Sequence, residues 1–135
     1  MGTTVRLMLI HLDTSVLVDA FTGSRRALTH VAGATSAGHV IAFCALVHYE
    51  WLRGPRAPGE EEAVRRFFGD DAIVAFSSRE ADTAAALYRR VKRARQRQAD
   101  LAVAACALER NARLWTLNEP DFADVPGLNL YQPRS

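Results

Sequence analysis

The feature that most constrains this chain is Leu9-Ile10-His11-Leu12-Asp13-Thr14-Ser15-Val16-Leu17-Val18, where an apolar run stops at an acid and two hydroxyls and then resumes. The run Leu7 to Leu12 is short and bounded, as a buried strand is. Asp13, Thr14 and Ser15 are residue types that cap helices, and Val16, Leu17, Ala20 and Phe21 recur at helical spacing. The stretch predicts strand, tight turn, helix. In an open α/β sheet ligands sit at the carboxyl ends of strands, which puts Asp13 at such a crevice. Capping a helix is the commonest use of an isolated Asp at such a place, so the rest of the chain has to decide whether Asp13 does more.

The alternation continues. A second helix is expected from Arg25 to Ser36, a strand over His39-Val40-Ile41-Ala42-Phe43 and a helix from Ala45 to Leu52 that stops at Gly54-Pro55. Pro58-Gly59 opens a helix whose first turn carries Glu60, Glu61 and Glu62, where the helix dipole favours acids. A third strand reads as Ile73 to Phe76, with Ser77 or Ser78 capping a helix that runs through Leu87 and Val91 into Arg97. A further helix spans Ala99 to Arg110, and nothing between Val91 and Asp100 separates it clearly from its predecessor. Leu114 to Leu117 is a fourth strand and Leu128 to Tyr131 a candidate fifth at the edge. Strands alternating with helices imply βαβ units, so the expected fold is a three-layer α/β/α domain around a mainly parallel sheet of four to five strands.

The 135 residues suffice for a single domain, residues 1–135, with an unaided core. A net charge of +2 does not argue for nucleic acid. Cys44 and Cys106 lie in apolar surroundings without CxxC spacing, which suits reduced, buried thiols in the cytoplasm. His11, His30, His39 and His48 lack the paired spacing of a zinc site. The apolar stretches are shorter than the roughly 20 residues a bilayer requires, so no membrane association is expected. The start, cut by His11 and Asp13, does not read as a signal peptide.

Three further polar departures accompany Asp13. Glu50 shares a helix face with Leu46 and Val47, which points it toward the sheet, although a long acid at the border of that face also reaches water. Asp100 lies on the face of Val103, Ala104, Ala107 and Leu108, at a first-turn position that the dipole alone would also select. The run Trp115-Thr116-Leu117-Asn118-Glu119-Pro120-Asp121-Phe122 leaves its strand beside Asp13 if the sheet is parallel. Gathered carboxylates stay ionised only with a compensating cation, and oxygen donors without Cys or spaced His select Mg2+ or Mn2+ over zinc. Such an ion takes a phosphate oxygen readily, the setting for phosphodiester hydrolysis.

The segments LDTSVLVDAF, LVHYEWLRG and DLAVAACALERNARLWTLNEPDFADVPGLNLY resemble, in this order, those of PIN-domain ribonucleases, and more narrowly the chain is similar to VapC-type toxins of toxin–antitoxin pairs. The resemblance runs from Leu9 to Tyr131, with little signal in residues 55–98. It implies a PIN-like fold and a metal-binding acidic cluster of Asp13, Glu50 and Asp100, with a further catalytic position at Asn118 or Asp121. Asn118 stands where many relatives have Asp, so this sequence departs from the fully acidic pattern; Asp121 either supplies the missing charge or stabilises the turn before Phe122. Thr14, Ser15 and Thr116 match supporting hydroxyl positions. The resemblance further implies a cognate antitoxin, a homodimer and an RNA substrate.

Residues 89–97 place six cations in nine positions, and a continuous helix there would present Arg89, Arg93 and Arg97 as an RNA-binding stripe, as a surface that receives a partner's acids, or simply as a solvated face. The expected activity is Mg2+-dependent endoribonuclease action as the toxin of a toxin–antitoxin system. The alternative is a non-catalytic PIN-like module that binds RNA or protein.

Overall fold

The computed structural model describes residues 6–133. Four strands, β1 (Leu9–Leu12), β2 (Val40–Cys44), β3 (Ile73–Val74) and β4 (Arg113–Trp115), form one sheet in the order β3-β2-β1-β4. Every pairing is parallel: Leu9 lies beside Val40, Ile10 beside both Ile41 and Arg113, and Phe43 beside Ile73. Six α-helices accompany them: α1 (Thr14–Phe21), α2 (Leu28–Ser36), α3 (Ala45–Arg53), α4 (Glu60–Phe68), α5 (Ser78–Tyr88) and α6 (Gln98–Glu109). The arrangement is the expected α/β/α domain. α1 packs against α2, α3 and α4, and α5 lies along α6.

The order has one functional consequence. β1 is central, and the chain leaves it toward β2 and β3 on one side while β4 adds on the other. The connections diverge at β1, which makes the carboxyl end of β1 a switch point where a crevice opens. Ile10, Leu12, Val16, Leu17, Leu101 and Leu114 are buried around it and hold the strand end still. Ala104, Ala105 and Ala107 let α6 approach the sheet closely, being fully buried and small. Among the described residues no helix is long and apolar enough to cross a membrane.

Four expectations need correction. The helix begun at Ser78 does not run to Arg97: α5 ends at Tyr88, Arg93 adopts a left-handed φ of 53°, and only a short 3-10 turn, Ala94–Arg97, precedes α6. A non-glycine residue in that region interrupts α-helical geometry. β3 stops at Val74, because the carbonyl of Ala75 is taken by Arg110 Nη2 at 3.2 Å instead of a neighbouring strand. Residues 128–131 form no strand; they make a single parallel bridge, Leu114 with Leu130. α2 begins at Leu28 and not Arg25, whose φ of 55° puts it in the preceding turn. The expected capping is present: Ser77 and Glu80 make a reciprocal capping box, and Gly59, at a φ of 89°, opens α4.

Candidate active-site crevice

Asp13 ends β1 and caps α1, so both uses the sequence allowed for it are realised together. Its Oδ1 accepts the N–H of Thr14 at 2.8 Å. Its Oδ2 accepts two hydroxyls, Thr116 at 2.8 Å and Ser15 at 3.0 Å. Its own N–H donates to the carbonyl of Trp115, tying the end of β1 to the end of β4. The hydroxyls are anchored in turn: Ser15 Oγ accepts the N–H of Leu117, and Thr116 Oγ1 that of Asn118. Asp13 is 7% exposed, and one carboxylate oxygen receives two side-chain donors whose own positions are set by the main chain. A cap alone needs only the contact to Thr14.

Glu50 arrives from α3. Its Oε1 accepts the Thr14 hydroxyl at 2.7 Å, and Arg53 stands 3.8 Å from Oε2. The carboxylate therefore faces the N-terminus of α1, not the sheet as its helix face suggested. Asp100 arrives from the first turn of α6, half-buried. Burial first, then the charges of Asp13, Asp121 and Glu50, push its carboxyl up to about 6, against the opposing pull of Arg97. That influence of three acids on one shows that β1, α3, α6 and the segment after β4 bring like charges to one place.

Asp13, Thr14, Ser15, Glu50, Asp100 and Asn118 line one open crevice of about 640 Å³. Asp121 does not line it; its carbonyl accepts Arg97 Nη2 at 2.7 Å, while its charge still acts on Asp100. Asn118 is exposed at the rim. Arg89 lies elsewhere, in a more apolar groove with Phe76, Tyr88 and Leu101. Arg97 is largely buried and clasps Asp124 through both terminal nitrogens, at 3.0 and 2.5 Å, so it is not a free phosphate ligand. The basic segment is not one continuous helix, and Arg89 and Arg97 face different surroundings, so Arg89, Arg93 and Arg97 do not form a helical stripe. Sequence reasoning missed Asp19, which also lines the crevice. The signal was present: Ser15, Asp19 and Thr22 form a polar row at helical spacing in an otherwise apolar helix.

The donor set suits a hard divalent cation in kind and in charge: all oxygen, ringed by hydroxyls, with one carboxyl whose proton affinity is raised by burial and by its acidic neighbours. Its spacing is looser. Among the described residues no three His, Cys, Asp or Glu side chains are placed so that they could hold one metal ion together. The acids share a crevice without closing on a point.

A parallel α/β/α domain with carboxylates gathered at the switch point of its sheet is the class that fold and crevice define. The PIN domain family matches residues 10–128, and the chain belongs to that family. Three solved structures share its fold. VapBC2 from Rickettsia felis, bound to a DNA fragment from its promoter, superposes with a TM-score of 0.73 at 21% identity, over 92% of this chain and 98% of that one. A toxin–antitoxin complex from Klebsiella pneumoniae does so with a TM-score of 0.67 at 25% identity, over 93% and 98%. DNA-bound VapBC from Salmonella typhimurium gives a TM-score of 0.72 at 16% identity, over 93% and 98%. No curated protein matches the chain by sequence.

Proposed function

We propose that this PIN domain is the toxin of a toxin–antitoxin pair and acts in the cytoplasm as an endoribonuclease dependent on Mg2+ or Mn2+. The observation that carries the reading is the arrival of Asp13, Glu50 and Asp100 from three elements at one crevice, with Asp100 pushed up to about 6 by burial and then by its acidic neighbours. The fold shared with toxin–antitoxin complexes supports a cognate antitoxin as partner. A homodimer belongs to the same reading.

Drawn together from their open spacing across the crevice, Asp13, Glu50 and Asp100 would hold the ion, with the Asn118 amide oxygen as a neutral fourth donor. When bound there, a divalent ion would supply Lewis-acid polarisation of a phosphate oxygen and offset charge that builds up during hydrolysis. The chain's own residues prepare this. Ser15 and Thr116 aim Oδ2 of Asp13, Thr14 holds Glu50, and Asp121 adds negative charge beside Asp100 from outside the crevice. Asp100, raised to about 6 by burial and its acidic neighbours, would give up its proton on taking the ion.

The test is cleavage of RNA with Mg2+ or Mn2+ against the same reaction in EDTA. Cleavage is expected only with the ion and is lost in Asp100→Asn. Activity that persists in chelator, with Asp100→Asn fully active, overturns the reading. The rival is a non-catalytic module, favoured by Asn118 and by acids that do not close on a point. It predicts RNA or protein binding with no cleavage in either condition.

A further inference from the structure

Away from the crevice, the sheet buries a second polar group of side chains. The pairing of His11 with Ala42 puts Cys44, two residues on, on the same face as His11. Cys44 pairs in register with Val74 of β3. The next carbonyl, that of Ala75, accepts the Cys106 thiol from α6 at 3.7 Å. The sulfur of Cys106 therefore sits over the end of the strand adjoining Cys44. Arg110 Nη1 stands 3.3 Å from the same sulfur and donates to Glu80 at 3.1 Å. Cys44 caps α3 through its sulfur, which accepts the N–H of Leu46 at 3.4 Å. Both thiols are free and buried. The Cys106 side chain first, then the N–H groups of Leu46 and Val47, hold the Cys44 thiol down at about 7 against the effect of burial, while Cys106 is pushed up.

We propose that Cys44 and Cys106 are an oxidisable pair, which a hydroperoxide converts into a disulfide joining the end of β2, where Cys44 caps α3, to α6. The Cys44 thiolate attacks a peroxide oxygen: an S–O bond forms, the O–O bond breaks, and water or the corresponding alcohol leaves with one proton. The Cys106 sulfur then attacks the Cys44 sulfenic acid: the S–S bond forms, the S–O bond breaks, and a second water leaves with the Cys106 proton. The two electrons lost by the thiols reduce the peroxide. Arg110, beside Cys106, stabilises the developing negative charge on that sulfur. Glu50 lies on the helix that Cys44 caps and Asp100 on the helix that holds Cys106, so the bond would tie together the two elements that carry these crevice acids. The chemistry at the thiols does not depend on the nuclease reading.

The full chain is treated with hydrogen peroxide, quenched, alkylated under denaturing conditions and digested. The expected product is a peptide pair containing Cys44 and Cys106, lighter by two hydrogens and released by dithiothreitol. In Cys106→Ser, dimedone is expected to trap a sulfenic acid on Cys44; in Cys44→Ser, Cys106 stays reduced at the same dose. Thiols that remain alkylatable in the native chain, at a dose that oxidises them after unfolding, overturn the proposal. So do cross-links only between chains, sulfinic acid on either cysteine without a cross-link, or faster trapping at Cys106 than at Cys44.

Discussion

Two aspartates of the crevice behave oppositely as single groups. Asp100 is uneasy where it stands, since burial and three like charges raise its proton affinity. Asp13 is the acceptor for a main-chain N–H and two hydroxyls. Asp100→Asn is therefore expected to leave the metal-free protein as stable as the wild type or to raise its melting temperature. Asp13→Asn turns an amide donor toward groups that themselves donate, and is expected to cost about 1–3 kcal/mol. Thermal unfolding in EDTA checks both, and equal losses in the two variants would refute the contrast. His11 supplies a pH prediction. It is 1% exposed with neither ring nitrogen paired, and burial, then the charge of Arg110, pushes it down to about 4 from 6.5. Between pH 6.5 and 4 the unfolded chain takes up a proton that the native chain refuses, so stability falls as pH falls through that window. Asp100 acts in the opposite sense from about 6 downward, because there the native state binds the extra proton. The His11 effect is therefore read in the Asp100→Asn background, where unfolding midpoints should drop between pH 6.5 and 4. Replacing His11 with Leu should flatten that drop. Glu80, held at about 2 chiefly by hydrogen bonds from Ser77, adds its loss only below about 4.5.

At the scale of elements, what the sequence made legible and what it hid divide along a physical line. β1, α1, α3 and α4 were readable because each couples an apolar run or face to a local stop or cap, Asp13, Gly54-Pro55 or Gly59, whereas α6 was readable from its apolar composition without a clear start. Asp13, Glu50 and Asp100 were readable because each interrupts an apolar run or face. Residues 89–97 were misread because their interruption has no local code. Nothing in Arg93 itself demands a left-handed φ; Arg97 stabilises the turn by bonding the carbonyls of Lys92 and Asp121 and the carboxylate of Asp124. Those partners lie up to 27 residues away, outside any helical window. Asp19 was hidden for a different reason, as a row of three polar residues on a short helix looks like a solvated face. The clasp makes Arg97 structural. Arg97→Met should destabilise the fold by about 1 kcal/mol, the value of a charge-assisted pair reduced for the exposure of Asp124. Arg93→Gly should stabilise it slightly by relieving the left-handed residue. Denaturant titrations decide the matter, and an Arg97 variant of unchanged midpoint would return that side chain to the RNA-facing surface.

For the molecule as a whole, the question is whether three acids on separate elements act as one site. Asp13 closes β1, Glu50 belongs to α3 and Asp100 to α6, so they meet only in the complete fold. A cation that bridges them binds the native state and not the unfolded chain, and by linkage it raises the unfolding free energy by about 2.7 kcal/mol at a hundred times its Kd. Mn2+ should therefore raise the melting temperature of the wild type in a saturable way, with EDTA reversing the effect. In Asp100→Asn the rise should vanish, since the variant lacks one donor and one charge. In Asn118→Asp it should come at lower Mn2+, because a charged donor replaces a neutral one at the rim. Diffuse attraction of cations to an acidic surface predicts something else: a shallow, unsaturated rise of similar size in all three proteins, which added NaCl suppresses. Calorimetric scans of the three proteins across a Mn2+ series distinguish the outcomes. Saturation in the wild type with loss in Asp100→Asn makes the open arrangement of acids a site that the ion draws together. Parallel shallow curves would leave the crevice acidic but unbridged, as the non-catalytic reading requires.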